Sequence, residues 1–348
     1  MALSSVRVSV IVPTYNRADL LTQALDSVAN QTFKNWECLV CDDGSNDSTV
    51  ALVHARSASD DRFRLIEGGR SGLPAGPRNR GIREAKGEWV AFLDDDDLWH
   101  PAKLERQLEV TGTQHWDFVA SPAIRFRALG RDSIGEAKPL SAACESVQTV
   151  DPLLEGSPIV NSSVMVRTSA VREVGCLDES SLFRAVEDFD LWTRLHASGI
   201  ALRIMTTPAL VLYRVGSPDS ISSVEDLRRP DVVRQNWAQS VILLKLWNMK
   251  GRPASANCYL ANHVAHSGNL SLWIGDVLSW VRSLRSVYSI ERKMQRLKTV
   301  AGTIASVSLA CKPTQIFRAH EARFSAAREL SLRALDLTRT SAGHTYDI

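Results

Sequence analysis

Four aspartates stand in a row, Asp94-Asp95-Asp96-Asp97, and crowd four carboxylates into one short stretch. Adjacent anions repel one another, and a hard divalent cation relieves the crowding. Mg²⁺ sites in particular use one or two carboxylates together with substrate phosphates. A cation held there would neutralise a leaving diphosphate. A second acidic group, Glu187-Asp188-Phe189-Asp190, lies further down the chain. A carboxylate in it would take a proton from an attacking hydroxyl, and a neighbouring carboxylate raises its pKa, which suits a base. The two clusters together describe group transfer from an activated phosphate donor. Taken singly, each also reads as a solvated acidic turn or as the cap of the next helix.

The elements around these groups follow from the apolar pattern. Glu88 to Leu93 is a short apolar run without Pro or Gly, which predicts a buried strand. Pro101 then opens a helical pattern over Ala102 to Val110. The aspartates therefore fall at the C-terminal end of a strand, where open α/β sheets bind their ligands. Upstream, strands are predicted at Val6 to Val12, Trp36 to Cys41 and Arg62 to Ile66, with helices at Ala18 to Asn30, Val50 to Ser57 and Asn79 to Ala85. This alternation predicts an α/β fold, a mostly parallel central sheet with helices on both faces. The strand ends at Thr14, Asp43 and Asp95 then converge on one edge. The loop Gly68 to Pro77 precedes Arg78 and Arg80 and contains Arg70; the three arginines are surface residues or reach a diphosphate.

Downstream, strands are predicted at Trp116 to Ala120 and Ser162 to Arg167, and a short helix at Ala170 to Val174. Leu129 to Val150 is unpatterned and reads as an insertion or an acceptor-side loop. Leu191, Trp192 and Leu195 make an apolar helix face, with Glu187 and Asp188 in the first turn, where the helix dipole favours an anion.

Several classes are excluded. No G-x-G-x-x-G follows the first strand and no G-x-x-x-x-G-K-[ST] occurs, so neither a dinucleotide nor a P-loop site is supported. The net charge of +2 predicts no nucleic-acid partner. Cys38 and Cys41 sit three apart in one strand and face opposite sides, which argues against a redox or metal pair and fits a reduced cytoplasmic setting. No apolar leader opens the chain and no stretch reaches the roughly 20 apolar residues of a membrane span. The expectation is a cytoplasmic protein, at most peripheral at the inner face of the cell membrane.

Four motifs in order carry a resemblance: Ser9 to Arg17 (SVIVPTYNR), Asp42-Asp43-Gly44-Ser45, Ala91 to Asp97 (AFLDDDD) and Glu187 to Trp192 (EDFDLW). Over residues 6 to 222 the chain resembles glycosyltransferase family 2. The resemblance implies a GT-A (Rossmann-like) fold, a nucleotide-sugar donor, Mn²⁺ or Mg²⁺, and inversion at the anomeric carbon. Carried over position by position, Pro13, Tyr15 and Asp43 resemble the residues around the nucleotide base. The aspartate run resembles the family's D-x-D region, with Asp95 on the ribose or donor, Asp96 on the metal and Asp94 as its alternative partner. Arg78 joins the donor-binding set. Asp188 resembles the general base, with Glu187 beside it. The family's Y-R-x-H arrangement has Gly216 in the histidine place, after Tyr213-Arg214-Val215. Gln235-Asn236-Trp237 does not match the Q-x-x-R-W of processive members, so a single sugar per event is expected.

The resemblance divides the chain into a catalytic part, 1–222, and a helical C-terminal region, 223–348. A helix is predicted over Asp231 to Asn248. Beyond it, Leu270, Trp273, Ile274 and Trp280 neighbour Arg282, Arg285, Arg292 and Lys293. Such a mixture suits an interfacial membrane segment, a helical lobe packed on the catalytic part, or a homodimer contact. The function implied is transfer of one sugar, from a UDP-sugar, to a glycan or lipid-linked glycan acceptor. A polyprenyl-phosphate acceptor and a non-catalytic nucleotide-sugar scaffold are the alternatives.

Overall fold

The structure is a computed structural model that describes residues 6–114, 116–126, 147–152, 159–180, 183–215 and 230–250. By backbone contacts the described residues form two compact units. The first takes those within Met1–Val150, Ser157–Glu179 and Arg194–Ser223; the second takes those within Asp151–Gly156, Ser180–Thr193 and Val224–Ile348.

The first unit holds the sheet. Strands β1 (Val8–Thr14), β2 (Trp36–Asp42), β3 (Phe63–Ile66) and β4 (Trp89–Phe92) lie parallel in the order β3-β2-β1-β4. Every residue of β1, β2 and β4 is buried, as expected where helices cover both faces of a parallel sheet. Helix α1 (Ala18–Ala29) buries Leu21, Ala24, Leu25 and Val28, one stripe at helical spacing. Helices α2 (Thr49–Ser59) and α3 (Ala75–Glu84) complete the alternation. The chain winds from β1 outward to β3, then crosses to β4 on the other side of β1. The ends of β1 and β4 thus form a switch point, where such sheets bind ligands.

Beyond β4 the sheet turns mixed. The order continues through β9 (Met165–Arg167), β6 (Phe118–Ala120), β10 (Leu202–Met205) and β8 (Val147–Val150). Strand β9 runs antiparallel to both β4 and β6. Its start therefore lies beside the end of β4, with Ala91 opposite Met165. A separate three-stranded sheet joins β5 (Leu98–Trp99), β11 (Val211–Arg214) and β7 (Ala123–Phe126), with β11 antiparallel to β5. That pairing returns Arg214 to the aspartate run. The stretch read as a loop, Leu129 to Val150, ends in strand β8; residues 127–146 lie outside the described residues.

Helix α3 begins earlier than the sequence predicts, at Ala75, and takes Pro77 into its first turn, where a missing N–H costs nothing. A Cβ on Gly81 would meet Cys41 Sγ at 2.7 Å and Ile11 Cγ2 at 2.8 Å, so the bare glycine lets α3 lie directly on β1 and β2. At its C-terminal end Arg172 donates to the carbonyls of Ile82 (2.7 Å), Arg83 (3.3 Å) and Ala85 (2.8 Å), groups that a helix end leaves without partners. Midway, Asn79 donates to the Leu177 carbonyl and to Glu179 Oε1, both at 2.8 Å, and accepts from the Leu177 N–H at 2.9 Å. These six bonds to the 172–179 segment fix the helix that carries Arg78 and Arg80.

Helices α4 (Lys103–Gln114) and α5 (Thr168–Glu173) follow β5 and β9, and helix α6 (Glu187–Ala197) opens with the second acidic motif. In the second unit, helix α7 (Pro230–Met249) buries Ala238, Val241, Ile242, Leu243 and Leu246. The basic and aromatic run after it lies outside the described residues, as does Gly216. Among the described residues no helix is long and apolar enough to cross a membrane. Cys38 and Cys41 are both buried free thiols, and burial pushes the Cys41 thiol up to about 12.

Candidate active site

The four aspartates do not behave alike. Burial alternates along the run: Asp95 and Asp97 are buried, Asp94 and Asp96 partly exposed. The run is a turn, with Asp95 and Asp96 at its centre and the Asp97 N–H donating to the Asp94 carbonyl at 3.1 Å, and this turn leaves the pair Asp94-x-Asp96 on the accessible side. Asp95, expected to touch the donor, has both oxygens engaged by protein. Thr14 donates its hydroxyl to Oδ2 at 2.8 Å and Arg17 reaches Oδ1 at 3.1 Å. The same Arg17 nitrogen lies 3.2 Å from Asp96 Oδ2. Asp97 accepts from the Ser162 hydroxyl at 2.6 Å and from the Arg214 N–H at 2.8 Å. Ser162 in turn accepts from the Asp94 N–H at 3.1 Å. Asp97 therefore holds the turn that presents Asp94.

Asp94 Oδ1 accepts from Arg78 at 2.6 Å and from the Asn161 amide at 3.0 Å. Arg78 is itself 5% exposed, so its guanidinium orients Asp94. Arg214 donates through Nε to the Asp96 carbonyl at 2.7 Å and through Nη2 to Gln23 at 2.9 Å. Arg17, Gln23, Asn161, Ser162 and Arg214 join the site through the fold, a role that their residue types alone do not mark in the sequence. Asn161 and Ser162 arrive because β9 is inverted. Their one sequence signal is the polar triplet Asn161-Ser162-Ser163 set between Val160 and Val164.

Electrostatics follow burial. Desolvation, opposed by Arg17 and reinforced by Asp96, pushes the Asp95 carboxyl up to about 6. Desolvation, then the Asp94 charge, raises Asp96. Asp97 is raised well above the carboxylate range by burial and by Asp94 and Asp96. A carboxyl raised in the folded state contributes stability that is complete below its unfolded pKa and is lost as pH rises through the folded one. For Asp95 that window runs from about pH 4 to about 6 and is worth roughly 3 kcal/mol. Denaturant titrations in EDTA are therefore expected to show the Asp95→Asn variant gaining on the parent by that order between pH 4 and 7.5. A stability difference that stays flat across this range contradicts the burial argument.

Asp43 lies one strand away, and its N–H donates to the Thr14 carbonyl at 2.9 Å. Its Oδ1 accepts from the Ser71 N–H (2.9 Å) and hydroxyl (2.7 Å); its Oδ2 accepts from Arg70 (2.7 Å) and the Gly72 N–H (2.9 Å). Burial resists ionisation, but the Ser71, Gly72 and Arg70 bonds outweigh it and hold the carboxyl below its ordinary value. Arg70 also lies over the Tyr15 ring, 3.3 Å from its centre. Pro13 is buried in β1 opposite Cys41. Arg80 donates to the Asp42 carbonyl at 2.7 Å. Each of the three arginines thus has a neighbouring acceptor; Arg78 is buried and Arg80 largely so, while Arg70 is exposed.

Glu187 and Asp188 open helix α6, in the second unit. Glu187 is 5% exposed, whereas Asp188 is partly exposed and accepts from the Phe189 N–H at 2.7 Å. Phe189, Leu191, Trp192 and Leu195 are buried, as the apolar face predicts.

The donor set at Asp94 and Asp96 fits a hard divalent cation. Two carboxylates, one of them driven toward protonation by burial and by the other's charge, are the ligands such an ion takes alongside phosphates. Among the described residues no group of three or more His, Cys, Asp or Glu forms a full metal cage. A site completed by substrate oxygens needs none.

The profile of glycosyl transferase family 2 matches residues 9–136. EpsE of Bacillus subtilis (strain 168), named as a glycosyltransferase, is 31% identical over 198 residues, covering 56% of this chain and 69% of that protein. UDP-Glc:alpha-D-GlcNAc-diphosphoundecaprenol beta-1,3-glucosyltransferase WfgD of Escherichia coli is 42% identical over 103 residues, 30% of this chain and 40% of that protein. The crystal structure of S. aureus TarS 1-349 in complex with UDP-GlcNAc shares the fold, with a TM-score of 0.53 at 20% identity, covering 84% of this chain and 93% of that one. The α/β architecture is that of the GT-A transferases. The chain belongs to glycosyltransferase family 2.

Proposed function

We propose that this enzyme moves a single sugar from a UDP-sugar to a lipid-linked glycan, by direct displacement with inversion. The observation that carries the reading is the sorting of the aspartates at the end of β4. Asp94 and Asp96 stay accessible as a pair, while Asp95 and Asp97 brace them from within. The names of WfgD and of the TarS complex, with UDP-Glc and a diphosphoundecaprenol acceptor in the one and UDP-GlcNAc in the other, support the donor and acceptor classes.

Each residue then has a task. Tyr15 offers a ring face to the base and Asp43 accepts its N–H, with Pro13 shaping the end of β1. Asp94 and Asp96 would hold Mn²⁺ or Mg²⁺, and the ion would supply positive charge to offset that of the leaving diphosphate. Arg78 and Asn161 keep Asp94 turned to that task, and Arg17 does so for Asp96. Asp188 takes the proton from the acceptor hydroxyl. That oxygen attacks the anomeric carbon from the side opposite the diphosphate. The carbon–oxygen bond to the diphosphate breaks, and the leaving oxygen keeps the electron pair. Glu187, more deeply buried, supports Asp188 through its charge. Residues 223–348 serve acceptor, membrane-surface or oligomer contacts, and a lipid-linked acceptor brings the protein to the membrane surface.

Thermal unfolding with UDP-, GDP-, dTDP- and CMP-sugars, each in Mn²⁺, Mg²⁺ or EDTA, tests the donor site. A ligand at about 100 times its Kd stabilises by roughly 2.7 kcal/mol. The expected outcome is a metal-dependent rise with UDP-sugars. Well-folded protein that responds to no nucleotide would remove the proposal.

A further inference from the structure

We propose that Arg70 is an internal surrogate for the nucleobase: its guanidinium occupies the Tyr15 face and the Asp43 carboxylate, and a donor enters by displacing it. The inference rests on the nucleotide reading of this site and adds a gate to it.

The guanidinium is flat, cationic and rich in N–H donors. It lies on the Tyr15 ring 3.3 Å from the centre and donates to Asp43 Oδ2 at 2.7 Å. A uracil, thymine or guanine ring would use the same two features, a planar face and a ring N–H directed at a carboxylate. Cytosine presents an unprotonated ring nitrogen at that edge, which a carboxylate repels.

Acceptor capacity favours the competition. Each carboxylate oxygen offers about two lone-pair sites. The Ser71 N–H and hydroxyl lie on Oδ1, with Arg80 3.5 Å away, and Arg70 with the Gly72 N–H lies on Oδ2. A base N–H gains a site on Asp43 when a donor leaves; the Ser71 hydroxyl, which can turn to the Leu73 carbonyl at 3.0 Å, and Arg70 can both do so, and of the two only Arg70 also covers the Tyr15 ring. The side chain of Asp43 is 4% exposed and that of Arg70 is 50% exposed, so Arg70 can exchange its bonds for water with little rearrangement. Two of the others are backbone N–H groups, tied to the course of the loop.

The loop is built to sit close. Gly44 has φ +81°, and a Cβ there would meet the Arg70 nitrogen at 3.3 Å. The turn is held by Asp42 Oδ2, which accepts from the Gly44 and Ser45 N–H groups at 3.0 and 2.9 Å. A bare glycine at this point lets the backbone at Arg70 lie against the 42–45 turn.

The test is calorimetric titration of the full-length protein with UDP, for the parent, Arg70→Ala and Arg70→Lys. The lysine keeps the charge and loses the flat stacking surface, which separates surrogate behaviour from general attraction for phosphate. Removal of the competitor is expected to tighten UDP binding about five- to tenfold in Arg70→Ala, with Arg70→Lys between it and the parent. Trypsin supplies a second readout on the parent: UDP is expected to speed cleavage after Arg70, because the displaced side chain becomes available. Equal or weaker binding by Arg70→Ala, or protection of the Arg70 bond by UDP, would overturn the proposal and make Arg70 a ligand of the nucleotide. If no protein in the series binds UDP, the nucleotide reading itself falls and takes this inference with it.

Discussion

The Asp188→Asn variant is expected to bind UDP-sugar as the parent does and to lose turnover by about 10²-fold or more, the scale on which a positioned general base acts. The substitution is conservative where it needs to be. Asp188 accepts from the Phe189 N–H at the start of helix α6, and an asparagine oxygen accepts the same bond, so the helix end survives. What disappears is the capacity to take a proton. Single-turnover rates with a lipid-linked acceptor, set beside UDP titrations, separate the two effects. The paired variant Glu187→Gln discriminates further. Glu187 is nearly buried and Asp188 is not, so an incoming hydroxyl has better access to Asp188. Full turnover in Asp188→Asn with loss in Glu187→Gln would reverse the assignment.

Asp96→Ala is expected to abolish the metal dependence of donor binding. In thermal unfolding with UDP-sugar, the rise produced by Mn²⁺ should collapse to the level seen in EDTA. Loss of fold is not the expected cause. Burial and the neighbouring Asp94 charge both raise the Asp96 carboxyl, so its ionised form is held at a cost, and alanine removes that cost. The variant should therefore unfold no earlier than the parent in EDTA. Retained metal dependence in Asp96→Ala would shift the ion onto other ligands and break the Asp94-x-Asp96 pairing proposed above.

The elements that read most clearly in the sequence are those whose neighbours are sequential. Strand β4 is an uninterrupted apolar run, β1 and β2 are apolar runs broken inside only by Ser9 and Glu37, and Leu21, Leu25 and Val28 mark α1 by spacing alone. Convergence of Thr14, Asp43 and the aspartate run follows from parallel winding. Strand direction carries no such mark. Nothing in the composition of Met165 to Arg167 reveals that β9 runs backwards between β4 and β6, yet that reversal delivers Asn161 and Ser162 to the site. The four aspartates are chemically identical as letters. Only the turn after β4, closed by the Asp97 N–H on the Asp94 carbonyl, separates the accessible pair, Asp94 and Asp96, from the bracing pair, Asp95 and Asp97. Arg70, Arg78 and Arg80 look equivalent in sequence too, and the fold gives them three different acceptors.

The anchoring of helix α3 separates two jobs that lie side by side in the chain. Arg78 owes its place to a helix tied to the 172–179 segment by Arg172 and Asn79. The residues just ahead, which close over Asp43, take their course from the pocket they cover. On the proposed nucleotide reading, a lineage that rewrites the covering residues would change its preferred base while Arg78 and Asp94 stay where α3 holds them. Base preference and phosphate chemistry would then be separately heritable traits, and a laboratory graft of residues 68–74 that keeps Gly68 and Ser71, which sit against Arg80 and Gly76 of α3, would carry over the first and leave the second in place.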